Sequence, residues 1–131
     1  MASSFTNLLE NEVLNRYFRF TTSLAPVATV YLAFYSTAPG EAGGGVELVG
    51  DGYTRMAVTF GAPAGGVISN SADVLFPTAT PAGWTIEGAA IVDAAAGAAN
   101  MLAYDDFTVA IVIPAGERAN VAAGALTVSL D

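Results

Sequence analysis

At 131 residues the chain is the size of one domain and can bury a hydrophobic core unaided. Twelve acidic residues against four arginines give a net charge of −8, which makes a phosphate backbone or an anionic membrane surface a poor partner. Cysteine, histidine and lysine are absent, which removes disulfides, thiolate metal sites and most of the common catalytic constellations.

Charged residues make up 12% of the chain and apolar residues 53%. That is about half the roughly 25% charge of an ordinary soluble domain. The imbalance fits either a membrane protein or a subunit that covers much of its surface with neighbours. No apolar run has the length of a spanning helix, and the N-terminus lacks the basic head and apolar core of a signal peptide. The composition therefore favours the assembled subunit.

The first twenty residues, MASSFTNLLENEVLNRYFRF, contain neither glycine nor proline. Phe5, Leu8, Leu9, Val13, Leu14, Tyr17 and Phe18 follow a spacing of three and four that predicts one apolar stripe on a helix. Ser4, Thr6 and Asn7 are candidate caps, and Asn7 followed by Glu10 resembles a capping box. Three placements fit such a helix: on its own sheet, on a neighbouring subunit as an arm, or on a membrane surface. The last prefers a lysine-rich polar face that this chain does not have. Thr21 to Pro26 should break the helix, dividing an N-terminal helical arm (1–25) from a β-sandwich body (26–131).

The segment Val27 to Ser36, VATVYLAFYS, is rich in β-branched and aromatic residues and predicts a strand with Val30, Leu32 and Phe34 on its core face. Tyr31 and Tyr35 then point outward, or towards a neighbour. The glycines from Gly40 to Gly45 predict a wide loop adaptable to an interface. A phosphate-binding loop is excluded there by the missing lysine and Ser/Thr. A second strand, Tyr53 to Phe60, puts Met56, Val58 and Phe60 in the core and leaves Tyr53 and Arg55 on the outer face. Short strands are expected at Val67 to Ser69 and Asp73 to Phe76, and a longer one at Trp84 to Val92. Asn100 to Tyr104 and Phe107 to Ile113 suggest a hairpin turning at Asp105 and Asp106, Val121 a short pairing segment, and Ala125 to Leu130 a final strand. About eight antiparallel strands with turn signals between them predict an all-β fold, a β-sandwich or jelly roll.

The chemistry available to such a chain is narrow. The close carboxylate pairs are Asp105 with Asp106 and Glu47 with Asp51. Neighbouring strand residues point to opposite faces, so the first pair could cooperate only within a turn. Calcium is the one metal these ligands suit, with Asp105 and Asp106 as candidates, and no EF-hand spacing accompanies them. Trp84, Tyr31 and Tyr53 could stack on sugar rings. Solvated turn residues and core or interface aromatics account for all of these at least as well. No cofactor or metal site is expected.

The helix segment around Leu14, Asn15, Arg16, Tyr17, Phe18 and Arg19, followed in order by VYLAFYSTAP, GDGYTRMAVTFGAP, SNSADVLFPTAT and AGALTVSLD, resembles a family of small tailed-bacteriophage virion proteins. Its members are described as tail-fibre-like, and some resemble capsid cement or decoration proteins. The resemblance implies a non-enzymatic structural role, a β-sandwich body and homo-oligomeric display on a virion. The chain lacks a long fibrous repeat or receptor-binding tip, which favours a cement subunit on the capsid surface that clamps neighbouring major capsid proteins after assembly in the host cytoplasm. Its partners would be the major capsid protein and sister copies in a dimer or trimer, with neither nucleic acid nor membrane. A tail-fibre-associated or adhesin module that binds a host surface glycan is the alternative. The interface residues expected on either reading are Phe5, Leu8, Leu9, Val13, Leu14, Tyr17, Phe18, Tyr31, Tyr35, Tyr53 and Arg55.

Overall fold

In a computed structural model, residues 1–21 and 24–130 are described. Thr22 and Ser23, within the expected helix break, and the final Asp131 lie outside the described residues. In chain order the elements are β1 (Ala2–Phe5), α1 (Asn7–Phe18), β2 (Val30–Thr37), β3 (Val46–Glu47), β4 (Met56–Val58), β5 (Val67–Ser69), β6 (Val74–Leu75), β7 (Trp84–Val92), β8 (Met101–Ile113), β9 (Asn120–Val121) and β10 (Thr127–Ser129). The fold is all-β with one short helix, as composition and periodicity predict. Two details differ: the helix is preceded by a strand, and one strand pair is parallel.

Eight strands form one sheet in the order β3-β2-β7-β8-β1-β10-β5, with β4 sharing the outer edge of β2 with β3. β6 and β9 form a separate two-stranded sheet. The two ends of the large sheet meet. Just beyond β4, Phe60 bridges Asn70, which follows β5, and the Gly61 and Ser71 amides donate to the Ser69 and Thr59 carbonyls. The sheet therefore curls round on itself, and β6 and β9 add Val74, Phe76, Ala119 and Val121 to the core it encloses.

That core contains the expected Leu32, Phe34 and Val58, all buried, with Val30, Met56 and Phe60 packed at its margin. Phe34 and Phe76 stack at 4.3 Å between ring centroids, and Trp84 meets Tyr53 and Phe76 edge-on. A second cluster of Ala33, Tyr35, Ala90, Val92 and Met101 occupies the opposite face of β2, β7 and β8. The glycine-rich loop folds down onto this outer face and does not stand away from it. Gly40 N–H donates to Asp106 Oδ1, and the Asn7 amide donates to the Glu41 carbonyl. Gly88 in the middle of β7 makes room for the loop: a Cβ there would lie 2.6 Å from Pro39 Cδ and 2.9 Å from the Asp105 carbonyl.

The expected hairpin at Asp105 and Asp106 is instead one long strand. β8 runs from Met101 to Ile113 beside β7, pairing Gly88 with Asp106 and Ile86 with Ile111, so residues 107–110 bulge out opposite Glu87. The extra length kinks the strand without reversing it. The second expected strand shrinks to β4 because Gly50, Asp51 and Gly52 all take left-handed φ and form a tight turn ahead of Tyr53. Thr80 N–H and Trp84 Nε1–H both donate to the Asp51 carbonyl, which pins that turn to the segment leading into β7.

Candidate binding surfaces

The N-terminus is built into the sheet before the helix departs from it. β1 lies between β8 and β10, Met1 ammonium donates to the Ala125 carbonyl at 2.8 Å, and Ser3 Oγ donates to the Thr127 carbonyl at 2.7 Å. Phe5 accordingly sits on β1, half-buried against the main core, and is not part of a helical stripe. Thr6, 1% exposed, ends the strand and caps the helix: its Oγ1 donates to the Met101 carbonyl and accepts from Leu9 N–H. The cap is Thr6, so the Asn7–Glu10 pair does not act as a capping box.

No residue of α1 is buried. Leu9 and Val13 turn towards the body and line a cleft of about 320 Å³ shared with Leu24, Pro26, Val30 and Leu102. Leu24 N–H donates to Glu12 Oε2, which ties the helix to the segment that follows it. The rest of the expected stripe is more open: Leu8 and Leu14 are exposed, Tyr17 lines the mouth of the same cleft at 68% exposure, and Phe18 is 75% exposed. Phe20, which the periodicity did not single out, is 88% exposed and holds φ at +56°. The Thr21 amide returns to the Asn15 carbonyl there, so a left-handed residue closes the helix as glycine commonly does. Tyr17, Phe18 and Phe20 are thus three exposed aromatics at the C-terminal end of α1.

The four outward residues expected on the spine behave differently. Tyr35 is buried in the second cluster beneath the glycine-rich loop, and Tyr31 is half-buried at its margin. Tyr53 and Arg55 join Glu47 in a hydrogen-bonded latch. Arg55 makes two bonds to the Glu47 carboxylate, at 2.8 and 2.7 Å, and donates to the Ala94 and Gly97 carbonyls. Tyr53 hydroxyl donates to Glu47 Oε1 at 2.8 Å and accepts from Phe34 N–H at 3.0 Å. The bidentate pair fixes geometry as well as charge. Arg55 is therefore occupied in joining β3 and β4 to the turn after β7.

Protonation in the latch follows from its contacts. Burial pushes the Glu47 carboxyl up, but the bonds from Arg55 and Tyr53 and the Arg55 charge outweigh it, and the net shift is downward. Burial and then the bond to Glu47 push the Tyr53 phenol far up, and the bond to Glu47 raises Arg55. Burial likewise raises Tyr35, with the Glu47 charge adding to it. All these shifts favour the ionised Glu47–Arg55 pair beside neutral tyrosines, a stable clip with no group poised to exchange a proton near neutral pH.

The remaining chemical candidates separate in space. Asp105 and Asp106 are consecutive residues of a strand. Asp106 accepts from Gly40 N–H on the outer face, while burial raises Asp105, with the neighbouring N-terminal ammonium opposing that shift. Among the described residues no group of three or more carboxylates forms a metal-holding cluster. The three aromatics considered for sugar stacking form no platform: Trp84 is 3% exposed and packs edge-on against Tyr53, and Tyr31 lies on the other side of the sheet.

A second apolar surface lies where β8 outruns β1. Val109 is 78% exposed and Val112 65%; Ile111 is exposed as well, and Phe107 is half-buried. Beside them opens a groove of about 760 Å³, with Phe34 and Ile86 at its base and Ala119 and Val121 on the far wall. The sequence FTVAIVI signals a strand here, but it does not reveal that β7 is the one strand paired with its 111–113 end among the described residues.

A family model described as Podophage GP4 fiber I protein gp80 matches residues 4–129. It bears out the resemblance to small tailed-phage virion proteins of the fibre-like kind. No curated protein matches the chain.

Proposed function

Because the chain belongs to the podophage GP4 fiber I protein gp80 family, we propose that it is a non-enzymatic structural subunit of the virion's fibre apparatus. The family match across residues 4–129 is the observation that carries this reading. It favours fibre over capsid cement, so the neighbour to which the chain attaches is a tail or fibre protein and not the major capsid protein. The absence of histidine, lysine and cysteine supports a role without catalysis. A glycan-binding role gains nothing from Trp84 and Tyr53, which are packed together inside the fold.

On this reading the aromatic end of α1 seats the subunit on its neighbour. Tyr17, Phe18 and Phe20 are exposed aromatics close in sequence, of the residue types that dominate interface energetics. The part that reaches outward is the helix and its exit, anchored through β1 to the middle of the sheet. Sister copies of the chain complete the assembly.

Quantitative mass spectrometry of intact particles tests the placement. A handful of copies per particle supports a fibre subunit, and hundreds per particle overturn it in favour of the shell. Replacing Tyr17, Phe18 and Phe20 together with serine is expected to leave a folded chain that no longer enters particles. Incorporation at the normal copy number would refute the role of the helix face.

A further inference from the structure

We propose that Asp51–Gly52 is a latent isoaspartate site that the Trp84 indole holds shut. It is the one Asp–Gly step in the sequence, and no Asn–Gly step accompanies it. The fold itself favours this pair. A Cβ at Gly52 would lie 2.6 Å from the Thr78 carbonyl, and residue 51 stands at φ +51°, a region that aspartate and asparagine tolerate better than most side chains. The reaction at such a step needs nothing beyond water. The Gly52 nitrogen attacks Asp51 Cγ, the protonated carboxyl loses its hydroxyl as water together with the Gly52 amide proton, and a cyclic imide results. Water then opens either carbonyl. Opening at Cγ restores aspartate, whereas opening at the α-carbonyl gives isoaspartate. In the isoaspartate the main chain is longer by a methylene just ahead of Tyr53, and the former carbonyl is a carboxylate. Solvent reaches the step: Asp51 is half-buried, Gly52 is exposed, and Gly52 N–H has no hydrogen bond among the described residues.

Backbone geometry keeps the step unreactive. Tyr53 N–H donates to the Gly50 carbonyl at 3.0 Å, and the two residues between them have φ of +51° and +80°, the signature of a type I′ turn. In that class ψ of the first central residue is about +30°. The imide closes only with the Gly52 nitrogen on the Cβ side of Asp51, at ψ of about −120°, the value found in a type II′ turn. Passing from one to the other flips the Asp51–Gly52 peptide and turns the Asp51 carbonyl round. That carbonyl accepts from Thr80 N–H and from Trp84 Nε1–H, both at 3.0 Å, and Ala82 N–H approaches Asp51 Oδ1 at 3.4 Å. The flip must break the first two bonds. Trp84 cannot follow the carbonyl, being 3% exposed and packed edge-on against Tyr53 and Phe76. The indole thus governs the chemistry of the turn as well as filling the core.

The chain holds a single tryptophan, so supplying β-(benzothiophen-3-yl)alanine in its place during expression replaces Trp84 alone, keeping the ring shape and removing the N–H. Each chain is held in neutral heavy-oxygen water and mapped by peptide mass spectrometry, where every ring opening leaves a solvent oxygen on the Asp51 peptide. The parent is expected to take up label and accumulate isoaspartate at Asp51 much more slowly in buffer than when unfolded in urea. The sulfur isostere should do so about five-fold faster than the folded parent, the factor equivalent to the roughly 1 kcal/mol net value of one hydrogen bond. Asn70→Ala, whose lost bonds run to Ala72, Ala122 and Leu126, should remain as slow as the parent. A folded parent labelled as fast as the unfolded chain overturns the proposal, whichever way the variants behave. So does a folded isostere no faster than the parent. An Asn70→Ala chain accelerated by the same factor overturns it too, by assigning the protection to overall stability. Should circular dichroism show the isostere unfolded, Trp84→Phe is read in its place by the same criteria.

Discussion

Asn70 sits where the sheet closes, and its buried side chain ties that point to the 122–126 segment ahead of β10. It is 2% exposed, its Nδ2 donates to the Ala72 and Ala122 carbonyls at 2.8 and 3.0 Å, and its Oδ1 accepts from Leu126 N–H at 2.9 Å. Its backbone also bridges Phe60, donates to the Leu126 carbonyl and accepts from Gly124 N–H. Asn70→Ala removes three side-chain bonds, each with a net value of about 1 kcal/mol, and leaves the Leu126 amide buried beside a methyl group. The expected loss is about 3–4 kcal/mol. For a domain of this size that is a fall in melting temperature of about 10–15 °C. Urea titration should show a lower midpoint with an unchanged slope. Asn70→Asp keeps the volume but turns a carboxylate towards two carbonyl oxygens, so it should be at least as damaging at neutral pH. Its folded pKa would be raised above the unfolded value of about 3.9. Stability would then be greatest below that value and be lost as pH rises through the folded pKa, so the deficit of the Asp variant narrows in acid. A loss under about 0.5 kcal/mol for Asn70→Ala, or a neutral-pH aspartate variant as stable as the parent, would refute this reasoning.

Tyr53→Phe takes the acceptor from Phe34 N–H and a donor from Glu47, and a loss of about 2 kcal/mol is expected by urea titration. Because the Tyr53 phenol is raised in the fold, its stabilising contribution is complete below the unfolded pKa of about 10 and fades as pH climbs through the folded value. The parent should therefore lose stability in strong alkali more steeply than Tyr53→Phe, with Tyr35 retaining part of the slope in both. Glu47 is lowered, so its contribution is present above its unfolded pKa of about 4.3 and is lost as pH falls through the folded value. Glu47→Gln should flatten that acid limb of the melting profile. Phe20→Gly relieves a left-handed φ at an exposed site and should raise stability by about 0.5–1 kcal/mol. The same change should reduce entry into particles, so a stabler chain that assembles worse would separate folding from docking.

Strands with a period of two and clear flanks were legible in the sequence. β7 spans Trp84 to Val92 and β5 spans Val67 to Ser69, as the alternation and the bounding glycines and prolines predict. β1 was not legible, because Ala-Ser-Ser-Phe has no apolar period and its stability comes from partners about a hundred residues away in sequence. Two consecutive aspartates looked like a turn because their propensity is local, while the bonds that hold β8 straight through them run to Gly40 and β7. The surface expectations divided in the same way. Tyr17 and Phe18 are open because a helix stripe wider than its contact leaves residues over. Tyr35 is covered by a loop whose path depends on Gly88, and Arg55 is consumed by Glu47. Nothing in the local pattern at Asn70 distinguishes a buried bridging amide from an ordinary turn residue.

The position of β1 determines how this molecule bears a load. On the proposed fibre role, tension applied at α1 would pass into a strand hydrogen-bonded on both sides, antiparallel to β8 and parallel to β10. Those bonds lie across the direction of pull, so the strand must slide past both neighbours at once, breaking its bonds together and not one after another. A terminal strand at a free edge would unzip under the same force. The four residues of β1, the least conspicuous in the sequence, would on that role serve as a shear anchor for α1.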